Sequence, residues 1–268
     1  MESKLERNIL EANKVRRDCY RKVAHVLIFV VLFAIWLISY VFVANFERWR
    51  GKSKITVTPT NNNMIYQYLK LLTNRDSVSS VLFNFGWFYY VLFFTFYIFV
   101  LIMLANEFTR KAKYLSFPLN FIPNLVLFDD EKRNYGTYLY FGIGQLFASF
   151  VCPPMVLFAI LGISSLADLM TSQIGMRYGK RRIHWNRDKT WEGNLAGTAI
   201  AFIIGIFFIG IIYSIIFAIA FLIFDAITNH PMKISDNLLI PIGLALIFVI
   251  IRFSFDLNYT PLILQILS

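Results

Sequence analysis

Long runs without a single charged residue are the feature that most restricts how this chain can fold. A helix needs about 20 apolar residues to cross the hydrocarbon core of a bilayer, and most of these runs reach or exceed that length. Over the whole chain 57% of residues are hydrophobic and 16% are charged, whereas soluble domains carry about 25% charged residues. The sequence therefore predicts an all-α, polytopic membrane protein with six or seven transmembrane helices. The charge-free runs are Val26–Ala44, Val81–Ala105, Asn134–Ala167, Gly193–Phe224 and Asn237–Ile251.

The charged N-terminal segment differs in character from everything that follows. Residues 1–22 are predicted to form a cytosolic amphipathic helix, ahead of a single membrane-embedded catalytic domain at residues 23–268. The segment is too long and its charges are too mixed for the n-region of a signal peptide, so we expect the first apolar run to be retained as an anchor. The two cysteines, Cys19 and Cys152, stand far apart and have no metal-ligand spacing.

The net charge of +10 lies beside the apolar runs, where it indicates membrane orientation and attraction to anionic headgroups rather than nucleic-acid binding. Counting cations places the N-terminus, residues 110–133 and residues 177–189 on the cytosolic side. Residues 45–80 are polar and predict an extramembrane loop. The stretch 114–128, interrupted by two prolines, predicts an interfacial or re-entrant segment.

Two of the apolar runs are longer than one span requires. Asn134–Ala167 is interrupted near its middle by Cys152-Pro153-Pro154, which predicts a helical hairpin with a tight turn. Gly193–Phe224 leaves two alternatives open. It forms either one tilted helix of roughly 46 Å, at 1.5 Å per residue, or two short helices that turn near Gly205 and Gly210. The second alternative gives seven spans.

A basic loop between two apolar runs carries the residues most indicative of chemistry. One carboxylate, Asp168, ends the run before the loop, and another, Glu192, begins the next run. Gly175 and Gly179 allow close approach of the backbone to a phosphate group. A solvated positive-inside loop also accounts for the arginines, but not for the motif Lys189-Thr190-Trp191-Glu192-Gly193. The cations are Arg177, Lys180, Arg181, Arg182, Arg187 and Lys189, against one internal acid, Asp188.

Asp168 shares a helix face with Thr171 and Ser172, three and four positions further on. An ionisable residue at the end of an apolar run is costly and is usually functional, although a water-exposed interfacial Asp is the alternative. Thr190 is suited to cap the next helix, with Glu192 in its first turn. Capping and ligand binding both remain open for these two residues.

Three further motifs allow a structural and a functional interpretation. Glu107 and Arg110 lie one helical turn apart, either as a local ion pair or as a metal ligand and a phosphate-binding guanidinium. The motif Arg21-Lys22-x-x-His25 is either an interfacial snorkelling cluster or part of a site. The pair Asp236-Asn237 opens the last apolar run, where it is unremarkable without its context.

Taken together, these motifs resemble the CTP-dependent lipid-alcohol kinases, the family of dolichol kinase, phytol kinase and the CTP-dependent diacylglycerol kinase. That family is related to the phosphatidate cytidylyltransferases. The motifs are Arg21-Lys22-x-x-His25, Glu107-x-x-Arg110, Asp168 followed by Gly175-x-x-Tyr178-Gly179-Lys180, Lys189-Thr190-x-Glu192-Gly193, and Asp236-Asn237-Leu238-Leu239-Ile240-Pro241.

The resemblance implies transfer of the γ-phosphoryl group of CTP, with Mg²⁺, to a lipid alcohol at the cytosolic face of the plasma membrane or endoplasmic reticulum. The motif at 189–193 favours dolichol or polyprenol. Asp168, Lys189 and Glu192 are the expected catalytic residues, with Asp168 as base. Mg²⁺ prefers carboxylates together with nucleotide phosphates, so Asp168, Glu192 and Glu107 are its candidate ligands. The expected nucleotide-binding residues are Arg21, Lys22, His25, Arg110, Thr171, Ser172, Gly175, Gly179, Lys180, Arg181, Thr190, Gly193, Asp236 and Asn237.

Several other functions fit parts of the same pattern. A phosphatidate cytidylyltransferase attacks the α-phosphorus of CTP and produces a CDP-lipid with much of the same equipment. A diacylglycerol or phytol kinase differs only in its lipid. A transporter for an anionic metabolite would use the basic loop as a vestibule, but its charges are expected within the spans rather than at their ends. If Asp236 and Asn237 belong to the same site as Asp168, they must lie at the cytosolic face, which favours the hairpin for Gly193–Phe224 and hence seven spans.

Overall fold

The computed structural model describes residues 2–49, 87–112, 135–228, 232 and 234–267. In this part of the chain the fold is almost entirely helical, which confirms an all-α membrane bundle. Among the residues that the structure describes, five helices are long and apolar enough to cross a bilayer, and two shorter apolar helices accompany them. The predicted interfacial stretch 114–128 and residues 50–80 of the loop predicted at 45–80 lie outside the described residues, while residues 45–49 of that loop continue the first helix instead.

A one-turn π-helix, Ile163–Ala167, joins two of the α-helices into one 25-residue span, Pro154–Tyr178. The helices are α1 (Glu2–Trp49), α2 (Trp87–Ala112), α3 (Thr137–Val151), α4 (Pro154–Gly162), α5 (Asp168–Tyr178), α6 (Trp191–Ile209), α7 (Ile211–Ile227), α8 (Asp236–Phe255) and α9 (Leu262–Leu267), and the strands are β1 (Arg182–Ile183) and β2 (Asn186–Thr190).

Helix α1 runs without a break through the predicted boundary at residue 22. The predicted amphipathic segment and the first span are therefore one continuous helix. Its buried positions Phe29, Leu32, Trp36 and Tyr40 recur every three or four residues, which places them on one face that packs against the bundle. Several intervening apolar side chains, among them Val30, Ile35 and Ile38, are exposed, as expected for a surface that faces lipid.

The break predicted at the two prolines is present between α3 and α4. Helix α3 ends at Val151 and α4 begins at Pro154, where a proline without an N–H is tolerated in the first turn. Gln145 of α3 donates a hydrogen bond from Nε2 to Ser164 Oγ, 2.7 Å away, beyond the end of α4. This contact shows that the two arms fold back on each other, so the predicted hairpin is confirmed.

The run Gly193–Phe224 is also a hairpin, which decides between the two alternatives. Gly210 has φ 84° and separates α6 from α7, a left-handed conformation that glycine adopts without steric cost. The arms are held together by Ser214 Oγ, which donates to the carbonyl of Phe202, and by Asn194 Nδ2, which lies 3.1 Å from the carbonyl of Leu222. Helix α7 therefore returns the chain to the end of the bundle where α6 begins.

The predicted basic loop contains a short antiparallel β-hairpin rather than irregular chain alone. Asn186 donates from Nδ2 to the carbonyls of Ala226 and Thr228, at 3.2 and 2.6 Å, and Trp185 Nε1 donates to Ala226 at 3.1 Å. The last carbonyls of a helix have no partner within it, and here side chains of the hairpin fill that role for α7. The β-hairpin is thereby fixed beside the end of α7.

Candidate functional site: a buried carboxylate and lysine cluster

Three carboxylates from three helices meet at the end of the bundle that carries the β-hairpin. Asp168 begins α5, Asp225 lies in the last turn of α7, and Asp236 begins α8. One oxygen of each carboxylate lies within 4.8 Å of an oxygen of the other two. Asp168 and Asp225 are buried and Asp236 is half-buried. Such a concentration of negative charge away from water requires compensating cations.

Two lysines supply part of that compensation. Lys22 Nζ of α1 lies 2.8 Å from Asp168 Oδ1 and 3.0 Å from the carbonyl oxygen of the same residue. Lys189 Nζ of β2 lies 2.6 Å from Asp225 Oδ1 and 3.2 Å from Asp236 Oδ2. We call these five side chains the carboxylate–lysine cluster. With all five ionised, three negative and two positive charges leave it one negative charge.

The charge state of Lys189 follows from its surroundings. Burial on its own would lower the pKa of the ammonium group, but the carboxylates of Asp225, Asp236 and Asp168 outweigh burial and raise that pKa above its ordinary value. Lys189 therefore stays protonated at physiological pH. It contributes positive charge to the site and does not act as a base.

One oxygen of the cluster lacks a partner. Asp225 Oδ2 is buried and has no hydrogen-bond partner among the described residues. An unpaired buried carboxylate oxygen is costly, and its presence beside two other carboxylates suits a hard divalent cation with oxygen ligands, such as Mg²⁺. The donor set therefore fits the metal that the sequence predicts, with Asp168 as one of the expected ligands.

Close crossing of α5 and α6 accounts for the glycines of the predicted phosphate loop. A Cβ atom on Gly193 would lie 2.5 Å from the carbonyl oxygen of Thr171 and 2.9 Å from Gly175 Cα. The N–H of Gly179 donates to the carbonyl of Gly175 at 3.1 Å. These glycines thus face neighbouring protein, and their small size lets the two helices approach at the site. Thr190 caps α6, since its hydroxyl accepts the N–H of Gly193 at 3.2 Å.

The predicted ligand Glu192 lies half-buried in the first turn of α6, beside the β-hairpin. Its carboxylate oxygens accept the backbone N–H of Arg181 at 3.1 and 3.2 Å. It does not belong to the group of three close carboxylates found in the described part of the chain. Lys180 and Arg181 are exposed around it, so the hairpin presents cations to solvent next to the carboxylate–lysine cluster.

Glu107 forms a separate polar contact between α2 and the start of α3. It is fully buried and accepts hydrogen bonds from the N–H of Gly136, at 3.3 Å, and from the hydroxyl of Tyr138. It too lies outside the close carboxylate group that the described residues contain. The side chains of Arg110 and Arg21, two predicted phosphate-binding residues, are outside the described part of the structure.

Further predicted residues surround the carboxylate–lysine cluster. The ring of His25 stacks on Phe141, with centroids 3.9 Å apart. Ser172 donates from its hydroxyl to Asp18. Asn237 is buried, and its backbone N–H donates to Asp236 Oδ1 at 2.9 Å.

Two residues of this region were missed by sequence reasoning, Asp225 and Asp18. A signal for Asp225 was present, because it directly follows the charge-free run that ends at Phe224. The rule that singled out Asp168, a carboxylate at the end of an apolar run, applies to it equally. Asp18 offers no such signal, since it stands among other charged residues of the N-terminal segment.

Fold and site together define a polytopic helical membrane protein with a buried carboxylate–lysine cluster at one end of its bundle. Comparisons with protein-family models, with curated proteins and with solved structures find no match to this chain. A functional conclusion therefore depends on the chemistry of the site and on the motifs of the sequence.

Proposed function

We propose that this chain is a CTP-dependent kinase that transfers the γ-phosphoryl group to a membrane lipid alcohol, with dolichol or polyprenol as the favoured substrate. The observation that carries the proposal is the group of three close carboxylates, one with an unpaired buried oxygen, beside a hairpin of exposed cations. Phosphoryl transfer needs charge neutralisation and positioning more than covalent participation of the enzyme. The choice of CTP and of a lipid alcohol comes from the resemblance of the motifs.

Asp168, Asp225 and Asp236 would hold Mg²⁺, which when bound would neutralise and orient the nucleotide phosphates. The earlier expectation that Glu192 and Glu107 act as ligands stays a prediction. Their hydrogen bonds to backbone N–H groups and to Tyr138 favour structural roles, so we place the three aspartates first.

The charge of the site favours binding of the divalent cation before the nucleotide. With its five side chains ionised, the carboxylate–lysine cluster carries one negative charge and repels a polyphosphate. With a divalent cation bound, the same cluster carries one positive charge and attracts it. The exposed side chains of Lys180 and Arg181 are then suited to hold the outer phosphate oxygens, because charge-assisted hydrogen bonds to phosphate are strong.

The proposed reaction is a direct transfer. The lipid hydroxyl oxygen forms a bond to the γ-phosphorus, and the bond from that phosphorus to the oxygen bridging it to the β-phosphate breaks. CDP leaves with the bond electrons, and the hydroxyl proton passes to the carboxylate of Asp168. Lys22, 2.8 Å from Asp168 Oδ1, fixes the orientation of that carboxylate.

We further propose that the site faces the cytosol, in the plasma membrane or the endoplasmic reticulum. The supporting observation is the exposed cationic hairpin, since loops rich in Lys and Arg remain on the cytosolic side.

The test uses purified protein in detergent with Mg²⁺, γ-labelled CTP and a mixture of polyprenol, phytol and diacylglycerol. We expect label in the extracted lipid, and chromatography of that lipid identifies the substrate. Asp225→Asn should lower the rate about 100-fold or more, because a metal ligand supplies several kcal/mol of transition-state stabilisation. The control is Asp188→Asn, the same change at an exposed aspartate of the nearby hairpin, which should retain activity.

Two results would contradict the proposal in different ways. Transfer of label from α-labelled CTP, with formation of a CDP-lipid, would make the chain a cytidylyltransferase. Absence of lipid labelling from both nucleotides in folded protein would remove CTP chemistry. Uptake of labelled phosphate into proteoliposomes would then test the anion-transport alternative.

A further inference from the structure

A second buried polar group lies deeper in the bundle than the carboxylate–lysine cluster. It consists of Gln145 on α3 and of Ser164 and Ser165 in the π-helix, which are 0, 2 and 1% exposed. Gln145 Nε2 donates to Ser164 Oγ at 2.7 Å, and Ser164 Oγ donates to the carbonyl of Leu161 at 3.2 Å. Two atoms of the group, Gln145 Oε1 and Ser165 Oγ, have no hydrogen-bond partner among the described residues.

The position of this group relates it to the carboxylates. Ser165 precedes Asp168 by three residues, which is about one turn along the span, on the side away from the β-hairpin. On the other helix, Gly144 precedes Gln145 and faces α8. A Cβ atom on Gly144 would lie 2.8 Å from the carbonyl oxygen of Asn237, the residue after Asp236. The group therefore lies about one turn from the carboxylates, toward the interior of the bilayer.

The contacts between helices do not explain the two unpaired atoms. Hydrogen bonds between side chains commonly hold membrane helices together, and the bond from Gln145 to Ser164 fills that role. Gln145 Oε1 and Ser165 Oγ take no part in that hydrogen bond. A buried polar atom left unpaired costs about 1–3 kcal/mol of stability. Nothing in the described part of the chain pairs with these two atoms, so their partner is a ligand or an ordered water.

The chemistry of the unpaired atoms specifies their complement. An amide oxygen only accepts hydrogen bonds, whereas a serine hydroxyl has a proton to donate. A group that donates one hydrogen bond and accepts one satisfies both atoms, and an alcohol hydroxyl is such a group. An ester or an ether lacks the proton that Gln145 Oε1 requires.

We infer that Gln145 and Ser165 bind the hydroxyl group of the lipid substrate as it approaches the carboxylates from the interior of the bilayer. The inference rests on the proposed function, because it presumes a lipid alcohol as the substrate. Through these two residues the protein selects a lipid alcohol over the surrounding lipids that lack a hydroxyl group. The acyl or isoprenoid chain then extends into the apolar part of the bilayer.

The test measures recognition of the hydroxyl without any transfer of phosphate. Thermal unfolding of the purified protein in detergent is followed with farnesol and with dioctanoylglycerol, each compared with its methyl ether. We expect at least one alcohol to raise the unfolding midpoint more than its ether does. Ser165→Ala removes no hydrogen bond to any residue that the structure describes and should abolish that difference. Ser149→Ala, a buried serine of α3 whose hydroxyl donates to Leu146 at 2.8 Å, is the matched control and should preserve it.

A kinetic measurement completes the test. If the wild-type protein transfers label from CTP, Ser165→Ala should raise the KM for the lipid alcohol about three- to tenfold, the worth of one neutral hydrogen bond, and leave kcat nearly unchanged. Equal stabilisation by alcohol and ether in the wild type, or a Ser165→Ala protein that keeps the wild-type preference, would overturn the inference and leave ordered water as the occupant. If the protein prefers the alcohol, if that preference depends on Ser165, and if no phosphate is transferred from CTP, the result would support this inference and contradict the proposed kinase activity.

Discussion

Replacing Lys22 with Met tests the carboxylate–lysine cluster most directly. Met keeps the length and apolar stem of Lys but removes the ammonium group, which lies 2.8 Å from Asp168 Oδ1. The two side chains are only 6 and 4% exposed. At an effective dielectric constant of about 20, their attraction is roughly 6 kcal/mol, and desolvation offsets part of it. Loss of one partner from a buried pair costs about 3–5 kcal/mol, because the remaining charge is left uncompensated.

The expected loss is large enough to measure in detergent. For a chain of this size each kcal/mol shifts the unfolding midpoint by about 2–4 °C, so we expect Lys22→Met to lower the midpoint by roughly 6–20 °C. The double variant Lys22→Met, Asp168→Asn should recover most of that loss, since it also removes the carboxylate that lost its lysine and returns the cluster to one net negative charge. Mg²⁺ should stabilise Lys22→Met more than the wild type, because the cluster then carries two negative charges rather than one.

The control is Lys180→Met, the same change at an exposed lysine of the hairpin, which should alter the free energy of unfolding by no more than about 0.5 kcal/mol. An unfolding midpoint of Lys22→Met equal to that of the wild type would refute the buried ion pair. Failure of Asp168→Asn to compensate would show that Lys22 acts through some other contact.

Two further predictions concern the elements that surround the cluster. Gly193→Ala should destabilise the protein by about 1–3 kcal/mol, because its Cβ would lie 2.5 Å from the carbonyl oxygen of Thr171, and backbone cannot yield as a side chain can. Gly162→Ala, whose Cβ would meet only side chains at 3.0 Å or more, should cost less in the same thermal unfolding assay. The raised pKa of Lys189 means that its stabilising charge persists below the ordinary lysine pKa of about 10.4 and is lost only as pH rises through the higher folded-state value. The stability difference between wild type and Lys189→Met should therefore be the same at about pH 6.5 and about pH 9, and a difference that shrinks by about pH 9 would contradict this charge assignment.

The sequence determined the class of the protein because its local signals are strong. A charge-free run long enough to span a bilayer must satisfy its own backbone hydrogen bonds, and a helix is the structure in which one segment can do so. Local chemistry also placed the break at Pro153-Pro154, since a proline has no N–H to donate within a helix. The cap at Thr190 was readable for the same reason. The choice between one helix and two for Gly193–Phe224 was not local, and only the expectation that Asp236 belongs near Asp168 favoured the hairpin.

Tertiary structure alone decided which charges meet. Asp168, Asp225 and Asp236 stand 57 and 11 residues apart in the sequence, and their spacing gives no hint that three helix ends converge on one point. The glycines that looked suited to bind a phosphate group lie where α5 crosses α6, and Glu192 accepts hydrogen bonds from the backbone of the β-hairpin. Both outcomes depend on how α5 packs against α6. Composition and periodicity act within a segment and so determine the helices, whereas the site depends on distances between segments, which the packing of the whole bundle sets.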